Sequence, residues 1–280
     1  MKKLSIITVC LNNRIGLEKT IRSVVTQSFQ DYEFIIVDGG STDGSVEMIK
    51  GYEDRIHKWI SEKDEGIYNA MNKGILIAQG DYCLFLNSGD YLSDTDIIDN
   101  IFNQSPEVDI IYGDLIRQKG PKNYRFTTYP DKLTLYHFVN DVPSLHHQAS
   151  FIKRKLFEQF GFYREDLKIV ADWEFFFRAI ILNNCSTYHV QEKITVFDSF
   201  GISSGGRNTE KDIKLKVLKE NIPDRILSDY DNIISEKKGI LQSLKTTVLK
   251  FPFLYKYLRM IYLPFRRLTS YLNYMKLLKN

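Results

Sequence analysis

The chain has 280 residues, 43% of them hydrophobic, and a net charge of +3 from 38 basic and 35 acidic side chains. This composition fits a folded α/β domain with an appendage and excludes the disordered, collagen-like and disulfide-scaffold classes. The three cysteines form no CxxC pair (Cys10, Cys83 and Cys185). We therefore expect reduced thiols in a cytoplasmic protein.

Charge is unevenly distributed along the chain. No acidic residue follows Glu236, whereas residues 237–280 contain ten Lys and Arg. Because the whole chain carries +3, residues 1–236 carry −7. We predict a catalytic or binding domain at 1–210 and a helical, basic extension at 211–280.

Strand and helix patterns alternate from the N-terminus. Apolar, β-branched runs predict strands at 4–10, 33–38, 57–61, 82–87, 108–112 and 187–198. Apolar residues three or four positions apart predict helices at 15–25, after Ser41-Thr42-Asp43, at 67–79, 94–104, 153–160 and 172–183, and beyond 209. This order predicts an α/β fold with a mostly parallel sheet and helices on both faces, while residues 115–150 look irregular.

Three of the predicted strands end in clusters of polar residues. These clusters occur in IIVDGGSTDGS, WISEKDEG and LFLNSGD. In an open parallel sheet, ligands bind beyond the carboxyl ends of the strands. We therefore expect Asp38, Asp64, Glu65 and Asp90 to converge on one edge of the sheet.

A nucleotide bound through a metal ion is the ligand that this edge favours. The phosphate-binding motifs GxxxxGK[ST] and GxGxxG are absent from the sequence. Carboxylates repel a diphosphate, but Mg²⁺ or Mn²⁺ can lie between the two. We predict Asp90 as the metal ligand, and His147 as a further metal ligand or an acceptor-site donor.

The order of SIITVCLNN, VDGGSTDGS, AMNKG, LFLNSGD and ADWEFFFRA resembles the family 2 glycosyltransferases, which have the GT-A fold, a Rossmann-like sheet. The resemblance covers residues 3–205. Within the family, SEKDEGIYNAMNKGI and HHQASFIKR are similar to the branch that builds bacterial capsule, O-antigen or exopolysaccharide units. The resemblance implies an inverting, metal-dependent hexosyl- or N-acetylhexosaminyltransferase. Its donor would be a nucleoside-diphosphate sugar, with a UDP-sugar as the first candidate, and its acceptor a glycan or a polyprenyl-linked molecule.

The resemblance also implies roles for single residues. Asp38 matches the carboxylate that binds the uracil or ribose, and Cys10 and Asn12 match positions that line the nucleoside pocket. Asp90 matches the last acid of the metal motif. Asp172 matches the catalytic base.

Three further residues complete the predicted donor site. Asp64 and Glu65 precede a predicted helix. Arg207 lies with Ser203 and Ser204 on a Gly/Ser-rich loop, residues 199–209, that we expect to close over the diphosphate. Two positions depart from the family pattern. NSGD supplies one carboxylate where many members have two or three, and Ala171 stands where the family has Glu.

Structural roles compete with these assignments. Asp38 and Asp43 also suit a strand-end turn and a helix cap, and Asp172 suits the start of a helix. The run 175–177 is expected to pack in the core. Arg178 is either an ion-pair partner or a diphosphate contact.

The C-terminal extension indicates contact with an anionic membrane surface. Between residues 248 and 280, aromatic and aliphatic residues alternate with Lys and Arg, and no uncharged stretch reaches the ~20 residues that cross a bilayer. We expect peripheral attachment at the inner face of the cell membrane.

Two other functions remain open at this point. A sugar-phosphate nucleotidyltransferase would need a Gly-rich basic loop where this chain has CLNNR. A nucleic-acid-binding module would use the basic tail, but the apolar partners of those basic residues favour a membrane instead, so we expect no nucleic-acid partner.

Overall fold

The computed structural model describes residues 2–118, 120, 124–140, 145–198, 207–232 and 235. The chain separates into two compact units, Met1–Glu220 and Asn221–Asn280. In the second unit, residues 224–232 are helical. Within these described ranges, no helix is both long enough and apolar enough to cross a membrane.

The first unit is built around one sheet, to which nine strands of the described chain contribute. The strands are β1 (Leu4–Cys10), β2 (Tyr32–Asp38), β3 (Lys58–Ser61), β4 (Tyr82–Phe85), β5 (Tyr91–Leu92), β6 (Ile110–Gln118), β7 (Tyr124–Thr127), β8 (Ser150–Lys153) and β9 (Thr187–Asp198). Their order is β3-β2-β1-β4-β8-β6-β9-β5, and β7 pairs with β6.

Helices connect these strands. They are α1 (Arg14–Val25), α2 (Ser45–Lys50), α3 (Ile67–Ile77), α4 (Ile97–Gln104), α5 (Leu135–Val139), α6 (Lys155–Phe160), α7 (Ala171–Phe176) and α8 (Arg207–Asn221). A 3-10 turn spans His147–Ala149, and a π-helical segment, Phe177–Leu182, continues α7. The helix α8 spans residue 210, where the sequence predicts a domain boundary. The first compact unit ends at Glu220.

The N-terminal half of the sheet is parallel. β1 pairs in parallel with β2 and β4, and β2 pairs in parallel with β3. Every residue of β1 and β2 is buried. Continuous apolar runs are typical of parallel strands that are covered on both faces. The predicted α/β fold with its mostly parallel sheet is therefore confirmed.

The other half of the sheet is mixed. β8 runs antiparallel to both β4 and β6, whereas β9 runs parallel to β6. The stretch predicted to be irregular, 115–150, contains the end of β6, β7, α5 and the 3-10 turn. Because β8 lies beside β4, this 3-10 turn comes close to the polar loop that follows β4.

Two local predictions need correction. Asp43 is not the N-cap residue of α2. That position is taken by Gly44, in the left-handed conformation at φ 90°, and no side chain forms a capping hydrogen bond there. The Asp43 carboxylate instead accepts hydrogen bonds from the Ser45 N–H at 3.1 Å and the Arg14 N–H at 2.8 Å. The strand predicted at 108–112 starts at Ile110 and extends to Gln118.

Several structural roles are settled by burial and pairing. Phe175, Phe176 and Phe177 are fully buried, as predicted. Arg178 forms an ion pair with Glu174 at 3.1 Å and donates to the Phe162 carbonyl at 3.1 Å. These contacts assign Arg178 to packing rather than to a diphosphate. The three cysteines are free, as expected.

Candidate active site

The first part of the site is the polar loop that follows β2. Asp38, the last residue of β2, is fully buried. Its Oδ2 accepts hydrogen bonds from the N–H groups of Gly40 and Ser41, at 3.1 and 2.9 Å, and from the Ser61 hydroxyl at 2.8 Å. Its Oδ1 is buried without a hydrogen-bond partner among the described residues. An unpaired buried acceptor costs about 1–3 kcal/mol, which a donor from a ligand would relieve.

The loop after β1 is joined to this loop by Asn12. The Asn12 Oδ1 accepts from the Thr42 N–H at 2.8 Å, and the Asn12 N–H donates to the Ser41 hydroxyl at 2.8 Å. Asn12 has φ 49°, in the left-handed region that Asn tolerates better than most residues. Its side chain therefore shapes the pocket by holding the two loops together.

Cys10 lies at the end of β1, beside Asp38 in the sheet register. Its Sγ is 3.7 Å from the Ser45 hydroxyl. Burial raises the pKa of the Cys10 thiol, although the hydrogen bond to Ser45 opposes this. The thiol is therefore neutral at physiological pH and suits a pocket wall rather than a nucleophile.

The two acids after β3 behave differently. A Cβ atom on Gly39 would lie 2.2 Å from Asp64 Oδ2, so the Asp64 carboxylate packs against the backbone of the residue after Asp38. Its Oδ1 also accepts from the Gly66 N–H at 2.9 Å. Glu65 is exposed. The structure therefore brings Asp64 against the Asp38 loop, while the donor role of the exposed Glu65 stays a prediction.

The loop after β4 carries the predicted metal ligand. Asp90 is 3% exposed, and its Oδ2 accepts from Gln148 Nε2 at 3.1 Å. This loop is tied to α1, because the Asn13 side chain donates to the Ser88 carbonyl at 2.8 Å and the Thr20 hydroxyl donates to the Asp90 carbonyl at 2.7 Å. The loops after β1, β2 and β4 thus form one connected edge.

Asp172 lies in the first turn of α7, where a network of donors surrounds its carboxylate. Oδ1 accepts from the Tyr68 hydroxyl at 2.9 Å, and Oδ2 accepts from His147 Nδ1 at 2.9 Å. Burial raises the pKa of this carboxyl, but the hydrogen bonds from His147 and Tyr68 outweigh burial and lower the pKa to about 2. Asp172 is therefore ionised at neutral pH, and its side chain is still 17% exposed.

His147 lies between Asp172 and the loop that carries Asp90. Its Nδ1 faces Asp172, and its Nε2 lies 3.2 Å from Asn87 Nδ2. A metal ion could reach either ring nitrogen only if the ring left one of these partners. The arrangement favours His147 as the residue that orients Asp172, while its metal role stays a prediction.

Tyr68, Asn87 and Gln148 were not singled out from the sequence. Tyr68 lies two residues before AMNKG, Asn87 opens NSGD, and Gln148 follows the predicted His147. Their positions inside the quoted motifs are the signal that could have found them.

The chemistry around Asp90 fits a hard divalent cation. Asn87 Oδ1 and Gln148 Oε1 are buried oxygen atoms without a hydrogen-bond partner among the described residues. Amide and carboxylate oxygens are the ligands that Mg²⁺ and Mn²⁺ take. No group of three or more His, Cys, Asp or Glu that could hold a metal occurs in the described ranges. The ion would therefore need oxygens from a bound ligand.

Several predicted residues fall outside what can be placed. Arg207 begins α8, but its side chain lies outside the described residues. The same holds for Ser203, Ser204 and the basic stretch 237–280.

Two relatives and one fold neighbour show what the chain is similar to. An uncharacterized glycosyltransferase of Mycobacterium tuberculosis is 33% identical over 205 residues, 71% of this chain and 76% of that protein. A PGL/p-HBAD biosynthesis glycosyltransferase of Mycobacterium bovis is 29% identical over 203 residues, 70% and 77% of the two chains. The structure of S. aureus TarS 1–349 in complex with UDP-GlcNAc has a TM-score of 0.57 and 16% identity, and the match covers 79% of this chain and 71% of that one.

The family model named Glycosyl transferase family 2 matches residues 5–161. This range includes the loops after β1, β2, β3 and β4 and the 3-10 turn at His147–Ala149. The match covers more than half of the chain, and the TarS neighbour has the same fold. By sequence and by fold, the chain belongs to glycosyl transferase family 2.

Proposed function

We propose that this protein moves a hexosyl or N-acetylhexosaminyl group from a UDP-sugar to a hydroxyl of a glycan or lipid-linked acceptor, with inversion at the anomeric carbon. The observation that carries the proposal is Asp172, a carboxylate held ionised by Tyr68 and His147 yet still partly exposed. The UDP-GlcNAc complex of the TarS neighbour supports UDP. The motifs shared with the surface-polysaccharide branch support the acceptor class.

The donor is proposed to bind at the loops after β1 and β2. Asp38 Oδ1, a buried acceptor without a partner among the described residues, would accept from the N–H of uracil or from a ribose hydroxyl. Cys10 would form the apolar wall of the same pocket, and Asp64 would close its edge. The Asp90 loop would lie at the diphosphate.

The transfer needs one base. Asp172 would accept the proton of the acceptor hydroxyl as that oxygen attacks the anomeric carbon, and a positioned base contributes about 10²–10⁴-fold. Tyr68 and His147 would act as positioning residues, because their hydrogen bonds fix both oxygens of the carboxylate. A divalent cation bound at Asp90 would stabilise the charge on the departing diphosphate.

A panel of UDP-, GDP- and dTDP-sugars tests the donor assignment through thermal stability. A ligand that binds the native state at 100 times its Kd stabilises the protein by about 2.7 kcal/mol. We expect UDP-sugars with Mg²⁺ or Mn²⁺ to raise the Tm, and Asp38→Asn to lose most of this rise. The exposed Asp54→Asn is the matched control and should respond as wild type does. Stabilisation by GDP- or dTDP-sugars but not by UDP-sugars would refute the donor choice.

Membrane attachment is proposed from the sequence of residues 237–280. Each cation near an anionic leaflet contributes about 1 kcal/mol, and this stretch has ten. We expect the full chain to sediment with vesicles that contain anionic lipid, and to leave them at high salt. Equal sedimentation with neutral vesicles, or none with either, would contradict peripheral attachment at the inner face of the membrane.

Family membership leaves the two alternatives from the sequence without support. The nucleotidyltransferase and the nucleic-acid-binding module each predict a different family for residues 5–161.

A further inference from the structure

Two arginines lie opposite each other on the hairpin of β6 and β7. Arg117 pairs directly with Arg125 in the antiparallel register. Directly opposed residues lie on the same face of a sheet, and like charges in this position are destabilising. The pairing therefore has a cost that the fold itself does not explain.

Arg117 has neutral partners. Its Nε donates to the Thr127 hydroxyl at 3.1 Å, and an Nη donates to His146 Nε2 at 2.7 Å. Its guanidinium also lies 6.0 Å from the centre of the Phe197 ring. Since Arg stays protonated, the contact at 2.7 Å makes His146 Nε2 the acceptor.

Neither arginine has a carboxylate partner within 4.0 Å among the residues that the structure describes. The ion pairs of the described chain involve other arginines, Arg22, Arg154, Arg164 and Arg178. Asp114, which lies on the same strand as Arg117, pairs with His189 at 3.1 Å and accepts from the Tyr129 N–H at 3.2 Å. Arg117 is half-buried and Arg125 is exposed. A guanidinium without a carboxylate partner can bind the two oxygens of an anion.

The arginine pair is connected to Asp172. His146, which accepts from Arg117, is followed in the chain by His147, which donates to Asp172 Oδ2 at 2.9 Å. The other side of His147 faces Asn87, in the Asp90 loop. The arginines thus adjoin the proposed base through His146, whereas the Asp90 loop reaches the base through Asn87. The side next to the base is where an acceptor hydroxyl must lie.

We propose that Arg117 and Arg125 bind an oxyanion carried by the acceptor, close to the hydroxyl that receives the sugar. The guanidinium fork matches the two oxygens of a phosphate or a carboxylate. The oxyanion belongs either to a phosphate of a lipid-linked acceptor or to the carboxylate of a uronic acid in a glycan. This inference rests on the proposed function, because it assumes that an acceptor binds beside Asp172.

Inorganic phosphate and glucuronate are the probes that separate these sources. Each is titrated into the full-length protein by calorimetry, with excess UDP and Mg²⁺ so that the donor pocket does not contribute. We expect wild type to bind at least one probe, and the better probe identifies the source. Arg125→Gln should weaken this binding about tenfold, the size expected for one charge-assisted hydrogen bond.

Arg117→Lys keeps the charge of the hairpin and removes the guanidinium fork, so it should also weaken binding while the number of cations on the hairpin stays the same. Arg22→Gln, on α1 and paired with Glu18, is the control and should bind as wild type does. Failure of wild type to bind either probe, or wild-type affinity in both Arg125→Gln and Arg117→Lys, would overturn the inference. If no UDP-sugar raises the Tm while Arg125→Gln still loses the anion, the proposed function fails and the anion site stands.

Discussion

Replacement of Asp172 by Asn is expected to lower kcat by about 10²–10⁴-fold while the Kd for the UDP-sugar stays close to that of wild type. The amide cannot accept the acceptor proton. It also places an N–H or a weaker carbonyl acceptor opposite His147 Nδ1, where the carboxylate now accepts at 2.9 Å. Single-turnover kinetics and calorimetry with the same donor separate the loss of chemistry from any loss of binding.

The matched control for this variant is Asp166→Asn, just before α7. Asp166 pairs with Arg164 at 2.7 Å on the surface, and its side chain is 64% exposed. The same change of charge there should leave kcat within about twofold, since exposed ion pairs contribute about 0–1 kcal/mol. Wild-type kcat in Asp172→Asn would remove the role of Asp172 as base.

The pKa of Asp172 adds a second expectation for the same experiment. The hydrogen bonds from His147 and Tyr68 overcome burial and lower this pKa to about 2, so the carboxylate is ionised throughout the range from about pH 5 to pH 9. The carboxylate loses its charge only as the pH falls through its pKa in the folded protein, which lies well below this range. The wild-type rate should therefore show no acidic decline that belongs to Asp172 between these limits.

The parallel half of the fold was predictable because local sequence determines it. β1 and β2 are mostly apolar, every one of their residues is buried, and polar residues follow close after the carboxyl end of each strand. In such strands, hydrophobicity and turn chemistry agree, so a pattern read along the chain is sufficient.

Apart from β9, which is predicted at 187–198 and found at Thr187–Asp198, the mixed half was not predictable in this way. Gly113 and Asp114 interrupt the apolar pattern of β6, and the pairing with β9 shifts register at these residues. β8 has only four residues, and its position in the sheet is set by pairing with β4 and β6, which lie far from it in sequence. Long-range pairing of this kind leaves a weak local signal.

The same distinction applies to the site. Asp38, Asp90 and Asp172 could be singled out because each belongs to a motif that resembles the family pattern. The contacts that these acids make could not be derived, because Tyr68 and His147 reach Asp172, and Gln148 reaches Asp90, from distant segments of the chain. The local polarity of a motif indicates chemistry, whereas the hydrogen-bond network depends on how strands and helices are arranged in space.

Binding of Mn²⁺ is expected to depend on UDP. In the described ranges no group of three or more His, Cys, Asp or Glu could hold a metal, and Asp90 is the carboxylate of the loop where the ion is predicted. A hard cation with so few protein ligands takes its remaining oxygens from phosphate and water. We expect UDP to lower the Kd for Mn²⁺ at least about tenfold, and Mn²⁺ to lower the Kd for UDP by the same factor, because coupling between two ligands is reciprocal.

The electron paramagnetic resonance signal of free Mn²⁺ measures this coupling, with the same UDP concentrations in buffer alone to account for the complex that Mn²⁺ forms with UDP in solution. Asp90→Asn should abolish the coupling, because an amide oxygen without charge is a weaker ligand for a divalent cation than a carboxylate. Asp96→Asn, at the exposed start of α4, where its side chain makes no capping hydrogen bond, should keep it. Tight Mn²⁺ binding without UDP would show that further ligands come from the protein itself, and coupling that survives in Asp90→Asn would place the ion elsewhere.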